Sequence, residues 1–487
     1  MAPPRGLAPC GGFLLLCLEY DRRTRPRWVR RRLTTRERMG VFMLETSVLL
    51  VFVAGLLFCL IAGLPILLAI LFGYFVFFAY GLSRGKRAFR LLAVSLTGIR
   101  SVKNILITFM LIGMLTAVWR ACGAIATIIC ASTRVMRPDL MVVICFWLCC
   151  LISLLTGTSF GSAATMGVIC MSISNVMGIP PVYAGGAILS GTFFGDRCSP
   201  MSTSAQLICT ITDTDIYRNI RRMLQTCVVP FLLTSGLYLV LGLLSGAREA
   251  PADVIEIFER NYRLGWIPLI PALITVLFSL LRLNVKVTML ASILAGGAIC
   301  LWVQGIAPLE LFWICLRGFR AADPELAAFS NGGGVLSMLN VGAIVCISST
   351  YSELFEETGL LNNTHALIGR LAARINPFGA VIVVSILTSA ICCNQSLSTV
   401  VVKQLCDHVM PDRYELALTL EDTVILLAAL IPWSIAGSVP LAASGAPLSS
   451  ILFACYLYLL PLCSYLSYSR GRGWPASPDA PVRAEGS

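Results

Sequence analysis

The stretch GTFFGDRCSPMS, residues 191–202, decides how this chain folds. Asp196 and Arg197 follow two phenylalanines and precede a Ser-Pro step, inside a run of small and apolar residues. Placing an ionised side chain in hydrocarbon costs several kcal/mol, so such residues mark function by default. A Pro two residues beyond the Arg-Cys step also ends regular helix. A charged break in an apolar surround is therefore expected here, and it should face protein or a wet cavity rather than lipid.

The rest of the chain supports that setting. Its 487 residues are 57% hydrophobic and only 13% charged, against roughly 25% charged in an ordinary soluble protein. Apolar runs of about 20 residues, enough to cross a bilayer, recur from about residue 43 to about residue 468. The expected fold is an all-α polytopic membrane protein with about 11–13 transmembrane helices. A soluble enzyme with a single core is excluded. The net charge of +12 is a topology signal, not a nucleic-acid signal. Arg84, Lys86, Arg87, Arg90, Arg100 and Lys103 cluster between the second and third spans, and DTDIYRNIRRML (213–224) is basic and amphipathic. Basic loops stay cytoplasmic, which also puts the N-terminus there.

Residues 1–42 are expected to be a basic cytoplasmic tail. They hold ten arginines before residue 40, and Met39 or Met43 offers an alternative start. Residues 469–487 are rich in Pro, Gly, Ser and charge, and are expected to be disordered. The twenty cysteines fall mostly in apolar runs, without paired ligand spacing, and are taken as small packing residues. With two histidines, His365 and His408, no metal site or cofactor is expected.

Two breaks recur at a similar interval. TGTSFGSAAT (156–165) is followed about 40 residues later by the charged break, and CCNQSLSTVV (392–401) is followed about 40 residues later by IPWSIAGS (431–438). Interrupted spans in corresponding positions of two halves point to a secondary transporter with its site near the midplane. The first repeat is expected over about 104–245 and the second over about 335–468. GTSFG (157–161) also matches the G-x-S-x-G pattern of serine hydrolases, but an apolar helix precedes it rather than a strand. The hydroxyls and free backbone groups of Gly157, Thr158 and Ser159 suit a small ion or a carboxylate instead.

The charged residues leave alternatives open. Asp196 and Arg197 are neighbours, so on a helix they point about 100° apart. Either one faces a cavity and the other water, or Arg197 neutralises Asp196 and the two form a structural pair. Glu421 and Asp422, before a long apolar run, are either ion-handling acids or part of an N-terminal helix cap with Thr419 as cap residue. Glu353, Glu356 and Glu357 are expected on a solvated connector.

Taken together, LTGTSFGSAATMG (155–167), AGGAILSGTFFGDRCSPMS (184–202), ITDTDIYRNIRRML (211–224), GGGVLSMLNVGAIVCISSTYSELFEETGLL (332–361) and LTLEDTVILLAALIPWSIAG (418–437) resemble the NhaC-type sodium/proton antiporters, in the family's order. The resemblance implies an inner-membrane exchanger of Na+ and H+, some members carrying organic acids such as malate and lactate. It implies two inverted repeats, each with a re-entrant hairpin and a broken helix. It also implies alternating access and a homodimer as the assembly to test. Carried over by position, its ion-handling blocks fall on Gly157, Thr158, Ser159, Asp196, Ser199, Pro200 and Ser202, and on Asn394, Gln395, Glu421, Asp422, Pro432 and Trp433. Two positions depart from the family. Thr203 stands where an aspartate is usual, and Cys393-Asn394-Gln395 stands where Gly-Asp-Gln is common. Asp196 is then the remaining first-half carboxylate, with Glu421 or Asp422 in the second. Fewer fixed negative charges also leave room for an anionic substrate.

Overall fold

The computed structural model describes residues 35–62, 64–133, 137–246, 252–281, 283–360 and 374–470. Most of the basic N-terminal tail, the C-terminal tail beyond residue 470, and His365 lie outside the described residues. The chain divides into a unit Met1–Val51 and a unit Phe52–Ser487. The described part of the first is the opening of the helix Thr35–Ile61.

Helices dominate the described residues, and a single isolated bridge, Phe319 to Gly332, is the one extended pairing among them. Seven helices are long and apolar enough to cross a membrane, and an eighth span is formed if the bent pair Arg413–Leu430 and Ile435–Ser444 counts as one. Four shorter apolar helices, Ser47–Leu56, Leu67–Ser83, Ile267–Phe278 and Pro377–Cys392, account for further apolar runs. The helix Ile216–Leu244 shows how the outside is built: Val228, Val229, Leu232, Leu233, Leu243 and Leu244 are exposed along it. A face of that kind is covered by lipid or by another protein surface rather than by water.

The helix Pro181–Cys198 is the centre of the structure. Ala184 to Phe193 are buried without interruption, and so are Gly195 to Cys198. Its start is set by Pro180 and Pro181, which cannot continue a preceding helix but suit a first turn. It packs on the helix Met141–Thr156 through glycine. A Cβ at Gly191 would lie 2.6 Å from the Phe146 carbonyl oxygen, and one at Gly195 would overlap the backbone at Ser153–Leu154. Ser153 donates from its hydroxyl to the Thr192 carbonyl across the same seam. Gly195→Ala should therefore force the helices apart and cost more than about 3 kcal/mol, at the upper end for overpacking. Loss of monodisperse protein in detergent is the expected reading.

Irregular backbone within the membrane needs side-chain partners. Tyr238, fully buried, places its hydroxyl 2.7 Å from Ser190 Oγ, 3.0 Å from the Gly186 carbonyl and 2.9 Å from the Phe453 carbonyl. It also accepts from the Cys455 amide at 3.1 Å, where the chain leaves a 3-10 turn to begin the helix Cys455–Ser469. The span Ser159–Val176 carries a π-helical turn at Ala163–Gly167.

One sequence expectation is corrected here. Glu357 is not on a solvated connector. The helix Leu339–Thr358 runs through Glu353, Glu356 and Glu357. Glu357 accepts from Lys86 Nζ at 2.8 Å and Arg90 Nη2 at 3.1 Å. The acid answers part of the basic cluster that lies beside it in space.

Candidate functional site

Two of the breaks follow the same backbone path. The helix Met141–Thr156 ends on Gly157 in the left-handed region, at φ 66°, and Thr158 is extended before helix resumes at Ser159. The helix Pro377–Cys392 ends on Cys393, also left-handed at φ 55°, and Asn394 is extended before helix resumes at Gln395. Glycine tolerates that conformation freely; a side chain such as that of Cys393 does so at a cost. Gly157 is doubly required, since a Cβ there would lie 2.6 Å from the Met201 carbonyl carbon.

The other two breaks restart helices with serine caps. Ser202 Oγ accepts from the amides of Ser204 and Ala205, at 3.1 and 3.3 Å, and opens the helix Thr203–Thr212. Ser434 Oγ accepts from the Ala436 amide at 3.3 Å and opens Ile435–Ser444, which is bent 60° from the preceding helical segment. Asn394 Oδ1 caps its own helix by accepting from the Leu397 amide at 3.3 Å.

These four restarts meet. A cavity of about 160 Å³ is lined by Thr158, Ser159, Thr203, Ser204, Asn394 and Gln395, with Ile435 and Ala436 on one wall and Asp196 on another. The space holds several waters or one small ion with part of its hydration. Every one of those lining segments other than Asp196 is the N-terminal turn of a helix, where unpaired N–H groups carry positive partial charge. The hydroxyl of Thr158 is buried and has no protein partner among the described residues.

Asp196 is 4% exposed. It accepts from Ser202 Oγ at 3.1 Å, Ser204 Oγ at 3.2 Å and Gln395 Nε2 at 3.4 Å. All three donors are neutral. Gln395 also reaches Ser204 Oγ at 3.4 Å and the Ile425 carbonyl at 3.5 Å, tying the two halves of the chain together at this point.

Arg197 turns the other way. It faces neither water nor Asp196: of the two residues Asp196 does face a cavity, but Arg197 is buried on a third group, and the two do not neutralise each other. Its side chain is fully buried and forms an ion pair with Asp422, also fully buried. The guanidinium further donates to Thr226 Oγ1 at 2.7 Å and the Met223 carbonyl at 3.2 Å. Asp422 takes a second bond from Ser464 Oγ at 2.7 Å. Buried charges need this degree of pairing. The consequence is that Asp196 keeps no cationic partner among the described residues.

Glu421 and Asp422 do not cap a helix N-terminus. The helix Arg413–Asp422 begins at Asp412, whose carboxylate accepts from the amides of Tyr414 and Glu415 at 2.9 and 3.0 Å. Thr419 is interior, and the two acids sit at its last turn, before a break at Thr423. Glu421 lies outside the cavity wall, fully buried, with neither carboxyl oxygen hydrogen-bonded. Ser199 also stays off the wall, its hydroxyl accepting from the Met201 amide at 3.3 Å within the turn. Sequence reasoning missed Ser204, Thr226 and Ser464. Only Ser204 left a signal, as a hydroxyl on the first turn after a serine cap.

A bundle of apolar helices, broken in pairs around a small polar cavity with one unpaired acid, defines a membrane transporter. The chain matches the Na+/H+ antiporter family over residues 33–211 and 191–469, and it belongs to that family. It is 27% identical over 368 residues to the Na(+)/H(+) antiporter NhaC of Alkalihalophilus pseudofirmus, covering 73% of this chain and 79% of the relative. It is 27% identical over 404 residues to the malate-2H(+)/Na(+)-lactate antiporter of Bacillus subtilis, covering 80% and 85%. Against the arginine/ornithine antiporter ArcD of Halobacterium salinarum the identity is 25% over 358 residues, covering 70% and 73%.

Proposed function

We propose that this protein exchanges Na+ for H+ across the cytoplasmic membrane, with Asp196 as the carboxylate for which the two ions compete. The observation that carries this is the division of labour at residues 196 and 197. Arg197 is spent on Asp422, so Asp196 faces the cavity with three neutral donors and no fixed positive charge. A buried carboxylate in that position is stable when it holds either a proton or a cation. Occupation by one excludes the other, which is the requirement for exchange.

In this reading the hydroxyls of Thr158, Ser159 and Ser204 and the amide oxygens of Asn394 and Gln395 replace water around the cation. The breaks at 157, 199–202, 393 and 431–434 belong to two inverted repeats, and the cavity opens to each side in turn. The N-terminus is cytoplasmic, as the basic residues at 84–103 and 218–222 favour. The chain transports and makes no covalent change in its substrate, and it works in the bilayer as a homodimer. Chemical crosslinking in native membranes tests the assembly.

Purified protein in liposomes loaded with a pH-sensitive dye tests the function. A proton gradient is imposed, and Na+, Li+, K+, malate and lactate are added separately. Dissipation by Na+ or Li+ is the expected result. No response to any cation would remove the reading.

One observation favours a second reading, coupled exchange of a small organic acid. Four helix N-termini are aimed at the cavity, and backbone N–H groups so placed bind carboxylates. Thr203 and Asn394 line the same wall without adding negative charge. A response to malate or lactate, absent with cations alone, would establish it.

A further inference from the structure

The helix Thr203–Thr212 starts on the cavity wall, where Thr203 and Ser204 sit. Its ten residues rise about 15 Å away from the site. One face, at Ala205, Ile208 and Thr212, is buried. The other is exposed at Thr203, Gln206 and Thr210, and the helix ends on the exposed Asp213. Steps of three, four and three residues place these four side chains on one stripe. All four are polar. The exposed positions of Ile216–Leu244 are of the opposite kind, Val228, Val229, Leu232 and Leu233 among them. A polar stripe that begins at the depth of the cavity belongs beside protein or water rather than lipid, and this one is not covered by protein.

The stripe leads to a charged surface. Asp213 pairs with Arg413 at 2.6 Å, and the two side chains are 87% and 66% exposed. Just beyond, Arg218, Arg221 and Arg222 lie in the opening turns of Ile216–Leu244, and basic segments of this kind stay cytoplasmic. The helix Gln395–Cys406 packs beside Thr203–Thr212. It also starts on the wall, with Gln395 and the exposed Ser396, and ends at the exposed Asp407, which pairs with Lys403. Both helices therefore turn their C-termini, which carry negative partial charge, away from the cavity and towards that surface. Other helices at the cavity offer no such stripe. Ile435 to Leu441 are buried without interruption, and a Cβ at Gly437 would overlap the Ala429 carbonyl oxygen. Ala184 to Phe193 are buried in the same way.

We infer that the exposed face of Thr203–Thr212 is the cytoplasmic access route of the transported ion, a water-lined path from the Asp196 cavity to Asp213. Thr203, Gln206 and Thr210 offer hydroxyl and amide groups to an ion that still carries much of its water. The helix Ile435–Ser444 closes the cavity in the other direction. The identity of the ion rests on the exchange reading above; the path does not.

The test is labelling of Gln206→Cys and Thr210→Cys with a cationic, membrane-impermeant methanethiosulfonate, in vesicles of both orientations. The mass of the peptide carrying each position reads the reaction, which keeps the native cysteines apart. Both variants are expected to react at least tenfold faster than Ile208→Cys, on the buried face of the same helix, and than Leu232→Cys, on an exposed apolar face. Reaction should occur only from the side that carries Arg218 to Arg222. The attached cation should lower Na+-driven proton movement at least tenfold. Equal reactivity at all four positions, or none at 206 and 210, overturns the inference. Reaction from the opposite side does so too, as does full transport by fully modified Gln206→Cys protein. Absence of Na+/H+ exchange in the wild type, with the labelling pattern as expected, would instead overturn the exchange reading and leave the route standing for another solute.

Discussion

Asp196→Asn is expected to bring Na+-driven proton movement down to the level of protein-free liposomes, a loss of roughly a hundredfold or more. The substitution leaves the shape of the site almost unchanged. Ser202 and Ser204 donate to different carboxylate oxygens, at 3.1 and 3.2 Å, so the amide oxygen keeps one of these bonds and the amide NH2 donates to the other hydroxyl. What disappears is the charge. A charge-assisted contact is worth about 1.5–3 kcal/mol, and 1.4 kcal/mol is tenfold in affinity. An amide also takes up no proton in this pH range, so competition between ions ends altogether. Thermal stability in detergent should move by no more than about 1 kcal/mol, as for changes that create no cavity and bury no new charge. Flux and melting measured on the same preparation separate lost transport from lost folding. Full pH-dependent transport in the variant would show that the exchanging carboxylate is elsewhere.

The second large effect is on stability. Arg197→Met or Asp422→Leu should each destabilise the protein by about 3–5 kcal/mol, because each leaves the partner uncompensated in a buried site. Replacing both, as Arg197→Met with Asp422→Leu, should recover most of that loss, since well-packed apolar residues commonly match a buried pair. Recovery should be incomplete. Thr226 and Ser464 would each lose a partner now held at 2.7 Å. Melting temperatures of the four proteins form a double-mutant cycle that isolates the pair. Additive losses, with no recovery in the double variant, would show that the two side chains act independently.

Much of the site was legible from residue types alone. Asp196 stood out as a charge in an apolar run, and the breaks at 157 and 393 stood out as clusters of small and hydroxyl residues ending apolar helices. The arrangement of charge did not. Arg197 sits next to Asp196 in the chain, and adjacency suggested either mutual neutralisation or opposite environments. Its partner is 225 residues away, a distance that no local pattern reports. Glu421 and Asp422 misled for a related reason. A helix normally opens with acids and continues apolar, and LEDTVILL has that order. Here the helix begins nine residues earlier, at the Asp412 cap, and its last turn carries Thr419, Glu421 and Asp422 into the protein interior rather than into water. Amphipathic reasoning assumes that polar faces meet solvent, and in the interior of a membrane protein they meet each other.

The glycine seam between Met141–Thr156 and Pro181–Cys198 has a mechanical consequence. Backbone meets backbone at Gly191 and Gly195, with the Ser153 hydroxyl bonded across the joint. Surfaces this close have no side-chain layer to shear, so sliding one helix along the other would drive carbonyls into Cα atoms at once. The pair must travel as a single lever. Gly157 lies at the end of one arm and Asp196 near the end of the other. In the proposed exchange, any motion that opens the cavity to one side and then the other would therefore carry the acid and the first broken turn together, in fixed register.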